Sequence, residues 1–234
     1  MGVQIDFPIE NWNLRSDSIL SNFPTDQFEM LTRNESVRSY RKGEVIFREE
    51  SFPTGVFLVK EGKVKIYKMD SGGKEHIIYL GSKGDLFGYQ ALLSEERYPD
   101  SASTIESSRI AFIPKDDFLE VLHGSDILRS RLLKTLGHEF TVLATNLCML
   151  ARKNVKERLA TQLIILREKF NGDPQSDHPT EISISRDDLA NLVGTARENV
   201  VRIMSGFKAD GIVFTKGRKI TILDEQRLIE IAKG

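Results

Sequence analysis

The chain has 234 residues, of which 40% are hydrophobic and 29% charged, which is enough apolar sequence for two modest cores. Lys and Arg number 33 against 34 Asp and Glu, so the net charge of −1 excludes a polybasic tail, an acidic solvating coil and extensive disorder. A single cysteine, Cys148, excludes an internal disulfide and a cysteine-based metal centre. The sequence has no signal-peptide pattern and no apolar run of bilayer length, so we expect a cytoplasmic protein without membrane contact.

Acidic and basic residues are unevenly divided along the chain. Residues 1–150 hold 18 Lys and Arg against 22 Asp and Glu, a balance of −4, whereas residues 151–234 hold 15 against 12, a balance of +3. A basic surplus is typical of a segment that binds a polyanion. We therefore expect the polyanionic partner to meet the C-terminal third.

Short apolar runs separated by glycine turns fill the segment from residue 40 to residue 114. The runs are VIF at 45–47, VFLV at 56–59, VKIY at 64–67, HIIYL at 76–80 and RIAFI at 109–113. An even spacing of roughly ten residues with glycine corners predicts an antiparallel, jelly-roll-like β-roll. We assign this roll to residues 1–120.

A different period follows Pro114. Residues 121–153 are predicted to form a long helix that ends in a hinge near Asn154. Steps of three and four residues, the a/d seam of a coiled coil, separate the apolar residues Leu133, Leu136, Phe140, Leu143, Leu147 and Leu150. The seam predicts dimerisation with a second copy of this helix; the alternative is an amphipathic helix packed on its own domain. Cys148, one step off the seam, is predicted to be a half-buried packing residue.

Residues 154–234 have the element order of a winged helix-turn-helix. A helix over 155–170 is expected to stop at 171–174, and two further helices and a hairpin follow. Gly194 suits a tight turn that requires a positive φ. Ser185 with Asp188, and Thr195 with Glu198, give two capping signatures for the helix starts. The predicted fold class is therefore α+β.

The second of these helices carries side chains that can read bases. Its inward positions are apolar, which leaves an outer face of Arg197, Glu198, Val201, Arg202 and Ser205. Arg can pair with guanine, Glu with cytosine, and an apolar side chain can touch the thymine methyl. The alternative is a solvated face with a Glu198 to Arg202 ion pair. The whole predicted DNA-contacting set adds the two helix starts and the basic hairpin, Ser185, Thr195, Lys216, Arg218 and Lys219.

The run GTARENVVR at 194–202, preceded by a glycine-rich roll and a seam helix, resembles the Crp/Fnr family of bacterial transcription regulators. This resemblance implies a cyclic-nucleotide-type sensor roll, a homodimer, double-stranded DNA as partner and contact with RNA polymerase. It places Arg197, Glu198 and Arg202 on a TGTGA-like half-site, repeated about 34 Å away in a palindrome. Val201 stands where nucleotide-controlled members often have glycine.

The sensor end departs from that family pattern. Cyclic-AMP binders carry a glutamate for the ribose and an arginine for the phosphate, where this chain has Tyr89 and Asp100. Because Asp100 would repel a phosphate, we expect no cyclic-AMP site of that kind, with Arg97 as the alternative cation. A pocket for another small-molecule effector, or no effector at all, remains open; its candidate residues are Gly88, Tyr89, Gln90, Arg97, Asp100 and Ser101.

Metal cofactors and catalysis are not expected. Residues 1–40 contain no cysteine for an Fnr-like iron–sulfur cluster, and His76 is the one candidate haem ligand, more typical of a packing or surface residue. The four histidines lack the spacing of a cupin metal site, and no nucleophile or phosphate-loop motif occurs. The competing function is a regulatory subunit that docks on another protein, for which an apolar outer face would be more typical.

Overall fold

The computed structural model describes residues 7–170 and 181–234. Contacts among these residues divide them into two compact units, one of residues 14–140 and one of residues 7–13 with 141–170 and 181–234. The boundary lies inside one long helix, Asp126–Arg152. Within the described residues, no helix combines the length and apolar character that a membrane crossing requires.

The unit of residues 14–140 is a roll of two antiparallel four-stranded sheets, which confirms the predicted β-roll. One sheet has the order β1-β8-β3-β6 and the other β2-β7-β4-β5. The strands are β1 (Ser36–Tyr40), β2 (Val45–Phe47), β3 (Gly55–Glu61), β4 (Val64–Met69), β5 (Glu75–Gly81), β6 (Leu86–Phe87), β7 (Ser101–Thr104) and β8 (Ser108–Pro114).

The five predicted apolar runs coincide with β2, β3, β4, β5 and β8, whereas three strands gave no sequence signal. Strand β1 lies at a sheet edge and exposes four of its five residues, so it lacks an apolar run. Strand β7 is Ser-Ala-Ser-Thr and is buried through small residues. Strand β6 has two residues, too few for a periodic pattern.

Glycine turns join the strands as expected, and Gly62 illustrates why. Its φ is +86°, and a Cβ there would lie 2.3 Å from the Ser108 Oγ and 2.7 Å from the Ser107 carbonyl oxygen. Both the backbone conformation and the space between β3 and β4 therefore require glycine.

Aromatic side chains fill the space between the two sheets. The Tyr98 ring stacks on Phe47 with centroids 3.9 Å apart, and Phe57 lies 5.5 Å from Phe47 and 5.4 Å from Phe87. All four rings are buried, together with Ile66 of β4. These aromatic rings thus form the core between the two sheets.

Four helices belong wholly or partly to the same unit: α1 (Thr25–Thr32), α2 (Tyr89–Ser94), α3 (Lys115–Gly124) and α4 (Asp126–Arg152). The prediction of a single helix from residue 121 was wrong at its start, because α3 and α4 are separate. Between them, Ser125 has extended backbone angles, and its Oγ accepts a hydrogen bond from the Leu128 N–H at 3.1 Å. This side-chain cap starts α4 at Asp126.

Helix α4 has two apolar faces. One face is buried and includes Leu128, Leu132, Val142 and Met149. The predicted seam forms the other face, and it is largely uncovered: the exposed fractions are 71% at Leu133, 75% at Phe140, 45% at Leu143, 69% at Leu147 and 38% at Leu150. Leu136 differs, since it is partly buried against the roll core. Cys148 is exposed, so its prediction as a half-buried residue was wrong for this chain taken alone.

The second unit contains α5 (Val155–Phe170), β9 (Glu181–Ser183), α6 (Arg186–Val193), α7 (Arg197–Ala209), β10 (Val213–Lys216), β11 (Lys219–Ile222) and α8 (Glu225–Lys233). The predicted order of helix, helix and hairpin is confirmed. Strand β9 joins the hairpin in a sheet of order β10-β11-β9, and α8 packs on α5 through Leu228, Ile229 and Ala232. The expected stop of α5 at 171–174 and His178 lie outside the described residues.

Candidate nucleic-acid interface

The first helix of the pair, α6, begins and ends as the sequence predicts. The Ser185 Oγ accepts a hydrogen bond from the Asp188 N–H at 2.9 Å, which caps the N-terminus. Gly194 ends the helix with a φ of +71°, in the left-handed region. Ala190 and Leu189 are buried between the helices. Helix α6 is therefore fixed at both of its ends.

The predicted cap of the second helix was wrong. Helix α7 starts at Arg197, and its N-cap is Ala196, whose side chain makes no capping bond. Thr195 lies one residue too early; it is buried, and its Oγ1 accepts a hydrogen bond from the Asn199 Nδ2 at 3.1 Å. Thr195 thus packs beneath the helix start, which makes it a poor candidate for DNA contact.

The two faces of α7 are divided as predicted. Val200, Ile203, Met204 and Phe207 are buried. The outer face is exposed at every predicted position, namely Arg197, Glu198, Val201, Arg202 and Ser205. Val201 is 44% exposed, so its methyl groups are open to contact from outside the helix pair.

The charged side chains of this outer face differ in the ion pairs they form. Among the residues that the structure describes, Glu198 and Arg202 form no ion pair with each other, so the pair that the alternative interpretation included is not formed. The Arg197 Nε lies 3.5 Å from the Asp187 Oδ1, with side chains 59% and 67% exposed. The Arg202 guanidinium has no carboxylate within ion-pair distance in the described parts of the chain.

The basic hairpin projects its cations into solvent. Lys216 and Lys219 are paired across the turn at Gly217, and Arg218 lies beside them; all three are exposed. The Lys219 Nζ forms an ion pair of 2.5 Å with the Glu181 Oε2. Within the described residues, Lys216 and Arg218 make no such pair. Of the three residues predicted to contact phosphates, two are therefore exposed cations without an ion-pair partner among the described residues.

Arg158 holds the turn between α6 and α7, although nothing in the sequence singled it out. The Arg158 guanidinium, on α5, donates from Nε to the Val193 carbonyl at 3.0 Å, from Nη2 to the Gly194 carbonyl at 3.2 Å and from Nη1 to the Lys153 carbonyl at 2.9 Å. One side chain thus joins the end of α6 to Lys153, two residues before α5. No local pattern marks it, because its partners are main-chain atoms distant in sequence.

Buried polar contacts join the expected effector residues to helix α4. Gly88 caps α2 with a φ of +81°. The Tyr89 hydroxyl, fully buried, donates to the Glu139 Oε1 at 2.5 Å, and the Gln90 Nε2 donates to Glu139 Oε2 at 3.3 Å. Burial raises the pKa of Tyr89 and also that of Glu139. Sequence reasoning missed Glu139, which fills the place beside Tyr89.

The other expected effector residues lie in and after the loop that follows α2. The Arg97 guanidinium is exposed, lies 3.9 Å from the centroid of the Phe52 ring and donates to the Glu50 carbonyl at 2.7 Å. These contacts hold Arg97 on the outer loop, against its use as the substitute cation. Burial raises the pKa of Asp100 to about 6. The buried Ser101 accepts from the Glu49 N–H at 2.9 Å.

Side chains that commonly bind metals do not form a cluster. Over residues 7–170 and 181–234, no three His, Cys, Asp or Glu side chains lie together as a metal site would require. His76 lies exposed on β5, opposite Lys68 of β4. Its position is that of a surface residue.

Family models match both units of the chain. The cyclic nucleotide-binding domain matches residues 37–125, and the Crp-like helix-turn-helix domain matches residues 157–231. The first covers the strands of the roll and α3, and the second runs from α5 into α8.

Relatives and solved structures agree with these matches. The transcriptional activator protein anr of Pseudomonas aeruginosa is 28% identical over 84% of this chain and 80% of that protein. The fumarate and nitrate reduction regulatory protein of Vibrio cholerae is 26% identical over 91% of this chain and 84% of that protein. FixK2 from Bradyrhizobium japonicum superposes with a TM-score of 0.75 at 25% identity, covering 84% of this chain and 96% of its own.

Proposed function

Because the chain belongs to the Crp/Fnr family of DNA-binding transcription regulators, we propose that it acts as a homodimer that reads a palindromic, TGTGA-like site. In this proposal α7 lies in the major groove, and the protein works in the cytoplasm with RNA polymerase as its protein partner. The observation that carries it is the outer face of α7, where charged side chains are exposed and Arg202 is unpaired within the described residues.

Each outer side chain of α7 has a base for which its chemistry is suited. Arg197 and Arg202 can each donate two hydrogen bonds to guanine O6 and N7, and Glu198 can accept from cytosine N4. Val201, 44% exposed, can contact a thymine methyl, so the neighbouring base preference should differ from that of members with glycine there. Lys216 and Arg218 would contact phosphates, which set register without reading sequence.

The homodimer is supported by the uncovered seam of α4. Its exposed apolar side chains recur at the spacing that coiled coils bury between two helices, and a soluble chain rarely leaves such a stripe uncovered. Two copies would present two α7 helices to half-sites about 34 Å apart, one turn of duplex.

Any effector of the roll would differ from cyclic AMP. Asp100 carries a carboxyl where a phosphate needs a cation, and the Arg97 guanidinium is held by Glu50 and Phe52. Tyr89 is committed to Glu139. These contacts support control by another small molecule or by protein abundance alone.

Selection from randomised duplexes with the purified full-length protein tests the proposal. We expect a palindrome with half-sites one turn apart, and Arg202→Ala should weaken binding to it by about 1–3 kcal/mol while relaxing one base position. Lys233→Ala, an exposed cation on α8, is the control and should bind as the wild type does. Failure to enrich any sequence, or an unchanged Arg202→Ala preference, would reject base reading by α7.

A further inference from the structure

The acidic residue next to the reading helix is placed differently from its neighbour in sequence. Asp187 and Asp188 both lie in the first turn of α6. Asp188 is buried, and its Oδ2 accepts from the Ser185 hydroxyl at 2.5 Å. Asp187 is exposed and turns instead toward α7, where its Oδ1 lies 3.5 Å from the Arg197 Nε. Of this pair of carboxylates, only Asp187 can act on a DNA-facing group.

The edge of the guanidinium that Asp187 faces decides what Arg197 has left for DNA. A guanidinium has five N–H donors in a fixed plane, one on Nε and two on each Nη. Asp187 faces Nε, and among the described residues neither Nη group of Arg197 has a partner; these two groups form the fork that matches guanine O6 and N7. A long flexible side chain loses rotamer entropy when it is fixed, so a partner that restrains Arg197 before binding lowers that cost.

The same carboxylate has an opposite effect on general DNA affinity. An exposed negative charge beside a surface that meets phosphates weakens attraction to every duplex, whatever its sequence. The contribution of such an exposed pair to fold stability is small, because both side chains are more than half exposed and solvent screens them. The pair therefore contributes little to folding.

We propose that Asp187 is a positioning residue for base readout: it orients Arg197 through Nε toward guanine and reduces binding to non-cognate DNA. The inference rests on the proposed function, in which α7 reads the major groove. Asp187 lies on α6, which otherwise supports α7, so a residue of the supporting helix would join those that determine specificity. The chemistry recognised is a guanine opposite Arg197.

The test measures a discrimination ratio with the full-length protein. Equilibrium competition gives the affinity for the wild-type-selected duplex, for the duplex in which the guanine read by Arg197 is replaced by adenine, and for a random duplex. Asp187→Ala should lower the guanine-to-adenine ratio roughly threefold and raise random-duplex affinity. Asp187→Asn, which loses the charge but keeps an acceptor, should raise random-duplex affinity with a smaller loss of discrimination.

Matched variants separate the possible failures. Glu230→Ala removes an exposed carboxylate of α8 and should leave the ratio unchanged. In an Arg197→Ala background, Asp187→Ala should have no further effect on the ratio, a coupling that a merely structural role would not produce. An unchanged ratio for Asp187→Ala in the wild-type background, with Arg197→Ala still losing it, overturns the inference and leaves the proposed function standing. An unchanged ratio for Arg197→Ala overturns the proposed reading by Arg197, and the inference with it.

Discussion

The lysines of the hairpin differ in whether they already form an ion pair within the protein. Lys219 and Lys216 lie opposite each other in the hairpin, yet among the residues described only Lys219 has a carboxylate partner, the Glu181 Oε2 at 2.5 Å. A cation that is already neutralised releases fewer counterions from DNA than a free one. Lys216 and Lys219 count equally in the composition, but they therefore differ in how much charge they can offer a phosphate.

That difference gives a paired prediction for salt dependence. Lys216→Ala should weaken binding to all duplexes alike and lower the slope of log K against log salt by about 0.9, the value for one phosphate contact. Lys219→Ala should lower it by less, since Glu181 already pairs with it. Titrations at several salt concentrations measure both slopes. A sequence-selective loss for Lys216→Ala would show that the wing reads bases.

A second prediction concerns the carboxyl group of Asp100. Burial raises its folded pKa from the ordinary 3.8 to about 6; the nearby Lys68 lowers it, Glu49 raises it, and Tyr79 and Tyr98 also interact with it. A raised acid pKa stabilises the fold below the unfolded pKa, and this stabilisation is lost as pH rises through the folded pKa.

The expected effect is a stability difference that depends on pH. Relative to Asp100→Asn, the wild type should lose on the order of 2–3 kcal/mol of unfolding free energy between about pH 4 and pH 6, then stay level. Urea unfolding of both proteins across that range measures it. A difference that is flat with pH would mean that Asp100 ionises as freely in the folded roll as in the unfolded chain.

At the scale of elements, the predictable parts were those with a local pattern. Apolar alternation found five strands of the roll, and the seam found α4, because both patterns repeat within the element itself. Strands β1 and β7 were not predicted. Strand β1 is an exposed edge strand, and β7 is built of small, mostly polar residues, so neither has an apolar alternation. The Thr195 cap was wrong because the capping signature fits at Thr195, one residue before the true N-cap, Ala196.

Side-chain contacts between elements were beyond prediction from one sequence. Glu139 and Tyr89 are fifty positions apart and meet only because the roll folds α2 against α4. Arg158 likewise reaches carbonyls thirty-five and thirty-six positions away. The candidate reading face was found from helical spacing, whereas Asp187, its neighbour on another helix, required coordinates.

The contacts of Arg158 with three carbonyl groups can be tested by mutation. Removal of its guanidinium leaves the carbonyls of Val193, Gly194 and Lys153 without their donor, and each lost charge-assisted bond costs about 1–3 kcal/mol. Arg158→Ala should lower the unfolding free energy by at least that amount and weaken binding to specific DNA, because the turn loses its support. Arg152→Ala, an exposed arginine at the end of α4, is the control. Chemical denaturation measures both; equal stabilities would contradict the role.

In the molecule as a whole, the exposure of the two faces of α4 favours the dimer over the alternative interpretation of its seam. If the seam packed on the helix's own domain, its residues would be buried, yet Leu133, Phe140 and Leu147 are each more than two-thirds exposed. Leu128 and Val142, off the seam, occupy the buried face instead. An apolar stripe left over after the domain has closed its core is expected to meet a second copy, because burial between two helices removes it from water.

Leu147→Glu therefore should convert the dimer into a monomer, since two glutamates would face each other across the seam, where desolvation and like charge both oppose pairing. Thr141→Glu adds the same charge to an exposed position of α4 outside the a/d spacing and should remain dimeric. Sedimentation equilibrium distinguishes the two states. Because specific affinity for a palindrome requires two reading helices on one duplex, Leu147→Glu should also bind the palindrome no better than a single half-site. A dimeric Leu147→Glu with full palindrome affinity would place the interface elsewhere on the molecule.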